Sequence, residues 1–241
     1  MSKTLKNMKE NQETDKEEYR CEHCKRTFVR PNSFLKHLCE QKRRWMDRDK
    51  PQNRIAFHAW LQFYKTAQPS KKKREYIDFI GNAYYGGFIK YGTYCVDVGV
   101  INPDRYVDYL LKEKVPIDSW NSDKVYTKYL IFYLRSEDSI DAVKRSIDNM
   151  LNLGENENVE LRDVFRYVNP NKICQYICSG RISPWVLYLS KTGPDFLSKL
   201  NDDQRGVIFE YIDPERWNIK LKRDVKEADE IKEVLEQISG L

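Results

Sequence analysis

The run YRCEHCKRTFVRPNSFLKHLCEQKRRW, residues 19–45, decides how this chain folds at its basic end. Cys21 and Cys24 stand three apart, so a tight turn can set two thiolates on one side of a metal ion. Phe28, Phe34 and His37 follow, and Cys39 comes two residues after the histidine. Two aromatics make a core too small to fold without a metal. Pro31 suits the first turn of a helix, where its missing N–H costs nothing. The fourth ligand is less direct. Residues two apart on an ideal helix point about 200° apart. Cys39 therefore joins Cys21, Cys24 and His37 only if the helix ends or tightens near Leu38. No histidine or cysteine occurs from residue 40 to 57, which favours Cys39. His23, inside the CxxC turn, and His58, in an apolar helical pattern, are poorer candidates. The competing reading is a metal-free helical hairpin with buried cysteines.

This stretch resembles the two-cysteine, two-histidine zinc fingers, with a Cys-Cys-His-Cys ligand set. The resemblance implies a small ββα-like unit over residues 19–40 holding Zn²⁺. In that class, bases are contacted from just before the helix and from its first two turns. The matching positions here are Arg30, Ser33 and Lys36, with Asn32 adjacent. Arg and Lys can reach guanine O6 and N7, and Ser is permissive. The same positions are commonly polar in protein-binding fingers. One finger spans only about 3 bp, so further contacts are needed. Lys42, Arg43, Arg44, Arg48, Lys71, Lys72, Lys73 and Arg74 are available for phosphates. Trp45, set among them, either stacks on an exposed base or docks the finger onto the rest of the chain; docking is the preferred reading.

Charge supports a polyanion partner. Residues 20–74 hold 16 Lys+Arg against 4 Asp+Glu, whereas residues 75–241 hold 22 against 28. The net charge of +5 hides this asymmetry. A basic segment of this kind is the electrostatic footprint of nucleic-acid binding, although a solvated basic face has the same composition. Apolar residues make up 40% of the 241, enough for a core, and the mean hydropathy of −0.76 describes a very polar surface. No apolar run approaches the ~18–20 residues of a membrane span. Residues 1–18 lack the apolar middle of a secretory signal and read as a disordered tail. Cys95, Cys174 and Cys178 are scattered, so the clustered cysteines point to a metal site in a reducing, cytoplasmic setting rather than a disulfide framework.

Beyond the finger, residues 41–74 read as a basic connector and helix, with Ile55, Phe57, Ala59, Trp60, Phe63 and Tyr64 near helical spacing. Residues 75–241 read as a multi-helical body. Four pairs, Asn102-Pro103, Asn169-Pro170, Ser183-Pro184 and Asp213-Pro214, each supply an N-cap followed by a first-turn proline. TYCVDVGVI (93–101) is the best strand candidate, and the polar stretch NLGENENVE (152–160) is where the body would divide. GRISPWVLYLS (180–190) predicts a short helix, apolar all round and therefore buried. The expected fold class is mainly α.

No Walker-type phosphate loop, nucleophile elbow or HExxH motif occurs. Two carboxylate groupings, Asp97, Asp104 and Asp108, and Asp202, Asp203 and Glu210, leave a metal-dependent nuclease as an outlying alternative. Acidic residues on helices are usually solvated, and the chain is read as a non-enzyme. The finger through HLCEQKRRW, with AWLQFYK and GRISPWVLY downstream, also resembles zinc-finger proteins encoded by large tailed bacteriophages. That resemblance implies action in the host cytoplasm on DNA or its machinery, and carries no residue assignment beyond the finger. The expected function is a zinc-dependent accessory protein in transcription, replication or packaging, binding nucleic acid, DNA in preference to RNA. A protein partner on the helical body and no membrane contact complete the expectation. An adaptor whose finger docks a protein is the first alternative.

Overall fold

The computed structural model describes residues 18–69 and 73–239. The tail expected over residues 1–18, except Glu18, and the side chains of Lys71 and Lys72 lie outside them. The described residues form one two-stranded antiparallel sheet and fifteen α-helices. This is the mainly α architecture expected, a small ββα-like finger followed by a helical body. The chain divides into two compact units, Met1–Val98 and Gly99–Leu241.

In the first unit, β1 (Tyr19–Arg20) pairs with β2 (Thr27–Phe28), Tyr19 opposite Phe28. Two short helices follow, α1 (Pro31–Leu35) and α2 (Glu40–Met46). Then come α3 (Pro51–Ala67), α4 (Tyr76–Ile80) and α5 (Tyr85–Val98). Proline starts both α1 and α3, as its fixed φ allows. The centre is aromatic: Trp60, Phe79, Phe88 and Tyr91 are buried, and Phe57 lies 5.7 Å from the Phe79 ring.

Helices α3 and α5 form the main pairing of this unit. Gly92 permits it: a Cβ there would fall 2.1 Å from the Gln52 carbonyl oxygen and 3.1 Å from the Ala56 Cβ. Backbone cannot yield as a flexible side chain would. Gly92→Ala is therefore expected to destabilise the first unit by about 1–3 kcal/mol, the usual range for overpacking. Urea unfolding followed by Trp60 fluorescence would measure it.

The segment 93–101 is not a strand. Residues 93–98 complete α5, and Gly99 ends the helix at φ 69. Tyr91 and Cys95, four apart, are both buried on one helical face. The β-branched residues around them carry a strand preference, but packing against α3 overrides it.

The second unit contains α6 (Pro103–Lys112), α7 (Asp123–Ser136), α8 (Ser139–Glu157), α9 (Val164–Tyr167) and α10 (Pro170–Cys178). It continues through α11 (Pro184–Leu189), α12 (Gly193–Lys199), α13 (Asp202–Ile212), α14 (Pro214–Arg223) and α15 (Val225–Ser239). All four Asx/Ser-Pro pairs start helices. The side chains of Asn102, Asn169, Ser183 and Asp213 accept from the N–H groups of Arg105, Asn171, Trp185 and Arg216 respectively. Helix α11 is buried as expected, with Trp185, Val186 and Leu187 fully enclosed.

The stretch 152–160 does not interrupt the body. Helix α8 runs through it to Glu157 and closes on Asn158 at φ 55, whose N–H donates to the Gly154 carbonyl. Leu153 and Gly154 are buried. The polar residues that suggest a linker are the helix's outer face.

A buried polar knot ties α8 to the start of α11. Glu137, fully buried, accepts the Ser183 hydroxyl at 2.7 Å and pairs with Arg145 at 2.6 Å. Ser183 also donates its N–H to the Ser146 hydroxyl at 2.8 Å. Burial pushes the Glu137 carboxyl above its usual range, and Arg145 opposes this. Arg145→Met is expected to cost about 3–5 kcal/mol near neutral pH, because it strands a buried charge. The loss should shrink as pH falls, since a protonated Glu137 no longer needs a cation. Denaturant titrations of both proteins at acid and neutral pH would show it.

Candidate metal centre

The CxxC turn is locked by its own backbone. The Cys21 N–H donates to the Arg26 carbonyl at 2.9 Å and the Lys25 N–H to the Cys21 carbonyl at 2.8 Å. Lys25 takes φ 63, the left-handed conformation that turns the chain into β2. His37 comes from the other side. Helix α1 has already ended at Leu35, and the His37 N–H closes a tighter turn onto the Phe34 carbonyl at 3.1 Å.

Cys39 is the pivot. Its backbone is extended (φ −75, ψ 166), and it is the N-cap of α2, with Sγ accepting the Lys42 N–H at 3.3 Å. The break between α1 and α2 removes the opposed orientation that a continuous helix would impose. Cys39 Sγ lies 3.9 Å from Cys21 Sγ, and Cys24 Sγ lies 3.2 Å from His37 Nε2. One donor atom from each of Cys21, Cys24, His37 and Cys39 lies within 4.8 Å of the others. This group of four could hold a metal ion. His23 and His58 stand outside it.

The site's electrostatics fit a cation. Burial opposes ionisation of Cys21, but N–H donors from the Cys24 and His23 backbone outweigh it and hold its thiol below the ordinary value. The Arg26 N–H favours the Cys24 thiolate, but burial and the thiols of Cys21 and Cys39 outweigh it and hold the Cys24 thiol above the ordinary value. Three clustered thiols resist ionising together unless a positive ion neutralises them.

The small core behind the ligands is larger than two phenylalanines. Phe28 and Phe34 lie 6.1 Å apart, Phe28 lies 4.6 Å from the His37 ring, and Tyr19 stacks on Phe34 at 5.8 Å. Tyr19 opens β1 two residues before the first cysteine, and that spacing is its sequence signal.

Within the first unit, Trp45 lies between the finger and α4, 5.6 Å from the His23 ring and 5.9 Å from the Tyr76 ring. Docking is thus its structural role. Arg44 is also committed. It donates to the Ile80 carbonyl at 2.6 Å, lies 4.1 Å above the Tyr85 ring and pairs with Glu40.

The other residues singled out for nucleic-acid contact are distributed unevenly. Arg30, Asn32, Ser33 and Lys36 are all exposed on and around α1, and Arg43, Arg48 and Lys73 are exposed as well. Lys42 is half-buried, its Nζ donating to the His37 carbonyl at 3.4 Å. Arg48 lies 5.2 Å over Trp45, and Arg74 lies 5.1 Å over Tyr64 while donating to the Gln68 carbonyl. Apolar groups are exposed in the same region: Val29, Leu35, Leu38 and Met46 are 51–73% accessible.

The carboxylates of both groupings, Asp97, Asp104, Asp108, Asp202, Asp203 and Glu210, are exposed. Among the described residues, no metal-ligand group of three or more side chains forms besides the Cys21 cluster. On α10, burial pushes the Cys178 thiol up to about 11 and raises Cys174, as expected of unreactive thiols. Among the described residues no helix is long and apolar enough to cross a membrane. No family model, curated protein or solved structure matches the chain.

Proposed function

We propose that the cluster binds Zn²⁺ and that the finger it stabilises is a nucleic-acid-binding module, DNA being preferred. Tetrahedral Zn²⁺ with bonds of ~2.3 Å to sulfur requires S···S edges of ~3.8 Å. The 3.9 Å between Cys21 and Cys39 meets this without movement. Three thiolates and one imidazole form a common closed, structural set, leaving no open position for catalysis.

The observation that carries the nucleic-acid reading is the placement of Arg30, Ser33 and Lys36. They are three residues apart, all exposed, and lie on one side of α1. Helix α1 has only five residues, about one and a half turns, so sequence reading rests on very few side chains. Most affinity then comes from phosphate contacts made by the surrounding basic groups.

The adaptor reading has its own support in the exposed Val29, Leu35, Leu38 and Met46. Apolar groups on a small domain favour a protein partner when contiguous, but are ordinary when scattered. The two readings separate by one experiment on the full chain: binding to duplex DNA at low salt, with and without chelator. Metal-dependent binding supports the proposal. No binding to DNA or RNA, with loss of a protein partner on Leu35→Ser, supports the adaptor.

A further inference from the structure

The second unit carries a cavity of about 450 Å³ at the C-terminal end of α7 and along α14, lined by Arg135, Asp213, Arg216, Trp217, Lys220 and Arg223 together with Glu215 and Ile219. Arg216, Lys220 and Arg223 recur at helical spacing, so one face of α14 presents them together.

These cations are not equally occupied. Arg223 is held by both carboxylate oxygens of Asp224, at 2.7 and 2.8 Å. Asp213 spends one oxygen capping α14, while its other lies 3.5 Å from Arg216 and 4.0 Å from Arg135, beyond good hydrogen bonds. The Arg135 Nε is buried and meets no acceptor among the described residues. The guanidinium is otherwise about one third exposed, and an anionic ligand in the cavity would give its enclosed Nε an acceptor. Lys220 is poised differently. Its ammonium lies 4.6 Å from the Trp185 ring and 4.5 Å from the Trp217 ring and donates to the Arg135 carbonyl at 3.3 Å. Burial lowers its pKa, and the nearby carboxylates of Glu227, Glu137 and Asp224 oppose that.

We propose that this cavity binds a compact phosphate-bearing small molecule, the phosphate seated among Arg135, Arg216 and Lys220. Its size falls within the ~300–1,000 Å³ of small-ligand sites. Cations from three side chains on two helices, not one coplanar pair, suit a tetrahedral phosphate, whose oxygens accept from several directions and whose charge exceeds a carboxylate's. Trp217 and Ile219 give the cavity an apolar wall for the rest of the ligand. This inference is independent of the finger.

The test is calorimetric titration of the full, metal-loaded protein with inorganic pyrophosphate, and with sulfate at matched ionic strength. Saturable one-to-one pyrophosphate binding that sulfate does not reproduce is expected. Arg135→Gln and the more exposed Arg216→Gln should each weaken it about tenfold or more, as loss of a charge-assisted hydrogen bond requires. Arg43→Gln, on the finger, should leave it unchanged. Absence of saturable binding up to about 10 mM pyrophosphate would overturn the proposal. So would binding that both cavity variants retain. If the two variants weaken DNA binding while wild type takes no pyrophosphate, the cavity serves a nucleic-acid backbone and the small-molecule assignment fails.

Discussion

Stripping the metal with a strong chelator should release residues 19–39 from order while the helices from α3 onward stay folded. Apart from short backbone turns, a two-residue ladder and the His23–Trp45 contact, the ligands and the Tyr19, Phe28 and Phe34 rings organise this segment. Structural zinc supplies about 10–16 kcal/mol in isolated finger peptides, far more than three aromatic rings contribute. The boundary should fall at α2. Beyond Cys39, Arg44 and Trp45 are anchored to Ile80, Tyr85 and Tyr76 by contacts that need no metal. Amide exchange should therefore rise over residues 19–39 and change little from α3 to α5. Metal analysis should give one equivalent per chain, lost on Cys21→Ser. Cys39→Ser should weaken metal binding by more than about 100-fold, beyond the 10–100-fold typical of outer-shell changes. Full metal affinity in Cys39→Ser would remove it from the ligand set. Protection of residues 19–39 in chelator would show a metal-independent hairpin, and loss of most helical signal would make the finger integral to the first unit.

The sequence shows this site plainly because its chemistry is local. Four donors and two aromatics within nineteen residues limit the chain to few arrangements, and the sole ambiguity, Cys39, turns on whether a helix breaks. The break lies between Leu35 and Glu40, where Cys39 caps the next helix. The four Asx/Ser-Pro starts are legible for the same reason: capping is settled within four residues. What the sequence conceals depends on distant partners. The segment 93–98 has strand-forming residues, yet it is helical because α5 buries Tyr91 and Cys95 and packs on α3 through Gly92. The stretch 152–157 looks like a linker because only Leu153 and Gly154 face inward. Arg44 reads as one basic residue in a row of three. Its commitment to Ile80 and Tyr85 appears only when residues 36 and 41 positions away are brought beside it.

That commitment alters what nucleic-acid binding should look like. If about six basic groups of residues 20–74 reach duplex phosphates, log K should fall against log salt with a slope near −5, at about −0.9 per contact. Affinity would then drop about 10³-fold between 50 and 200 mM salt. Arg43→Ala, at an exposed position, should flatten the slope by about 1 and weaken all sequences alike. Arg44→Ala should behave differently from its neighbour. Its guanidinium is occupied within the first unit, so the loss should appear as lower stability with the slope nearly unchanged. Arg30→Ala or Lys36→Ala should cost about 1–3 kcal/mol on a preferred site and much less on others, if either side chain reads a base. Salt titrations on duplex DNA, single-stranded DNA and single-stranded RNA would resolve these cases. Equal losses on every sequence from the Arg30 and Lys36 changes would leave a finger that grips phosphates without reading bases. Undetectable binding to all three at low salt would turn the exposed Val29, Leu35, Leu38 and Met46 into the better guide, because a basic surface that holds no polyanion is only a solvated one.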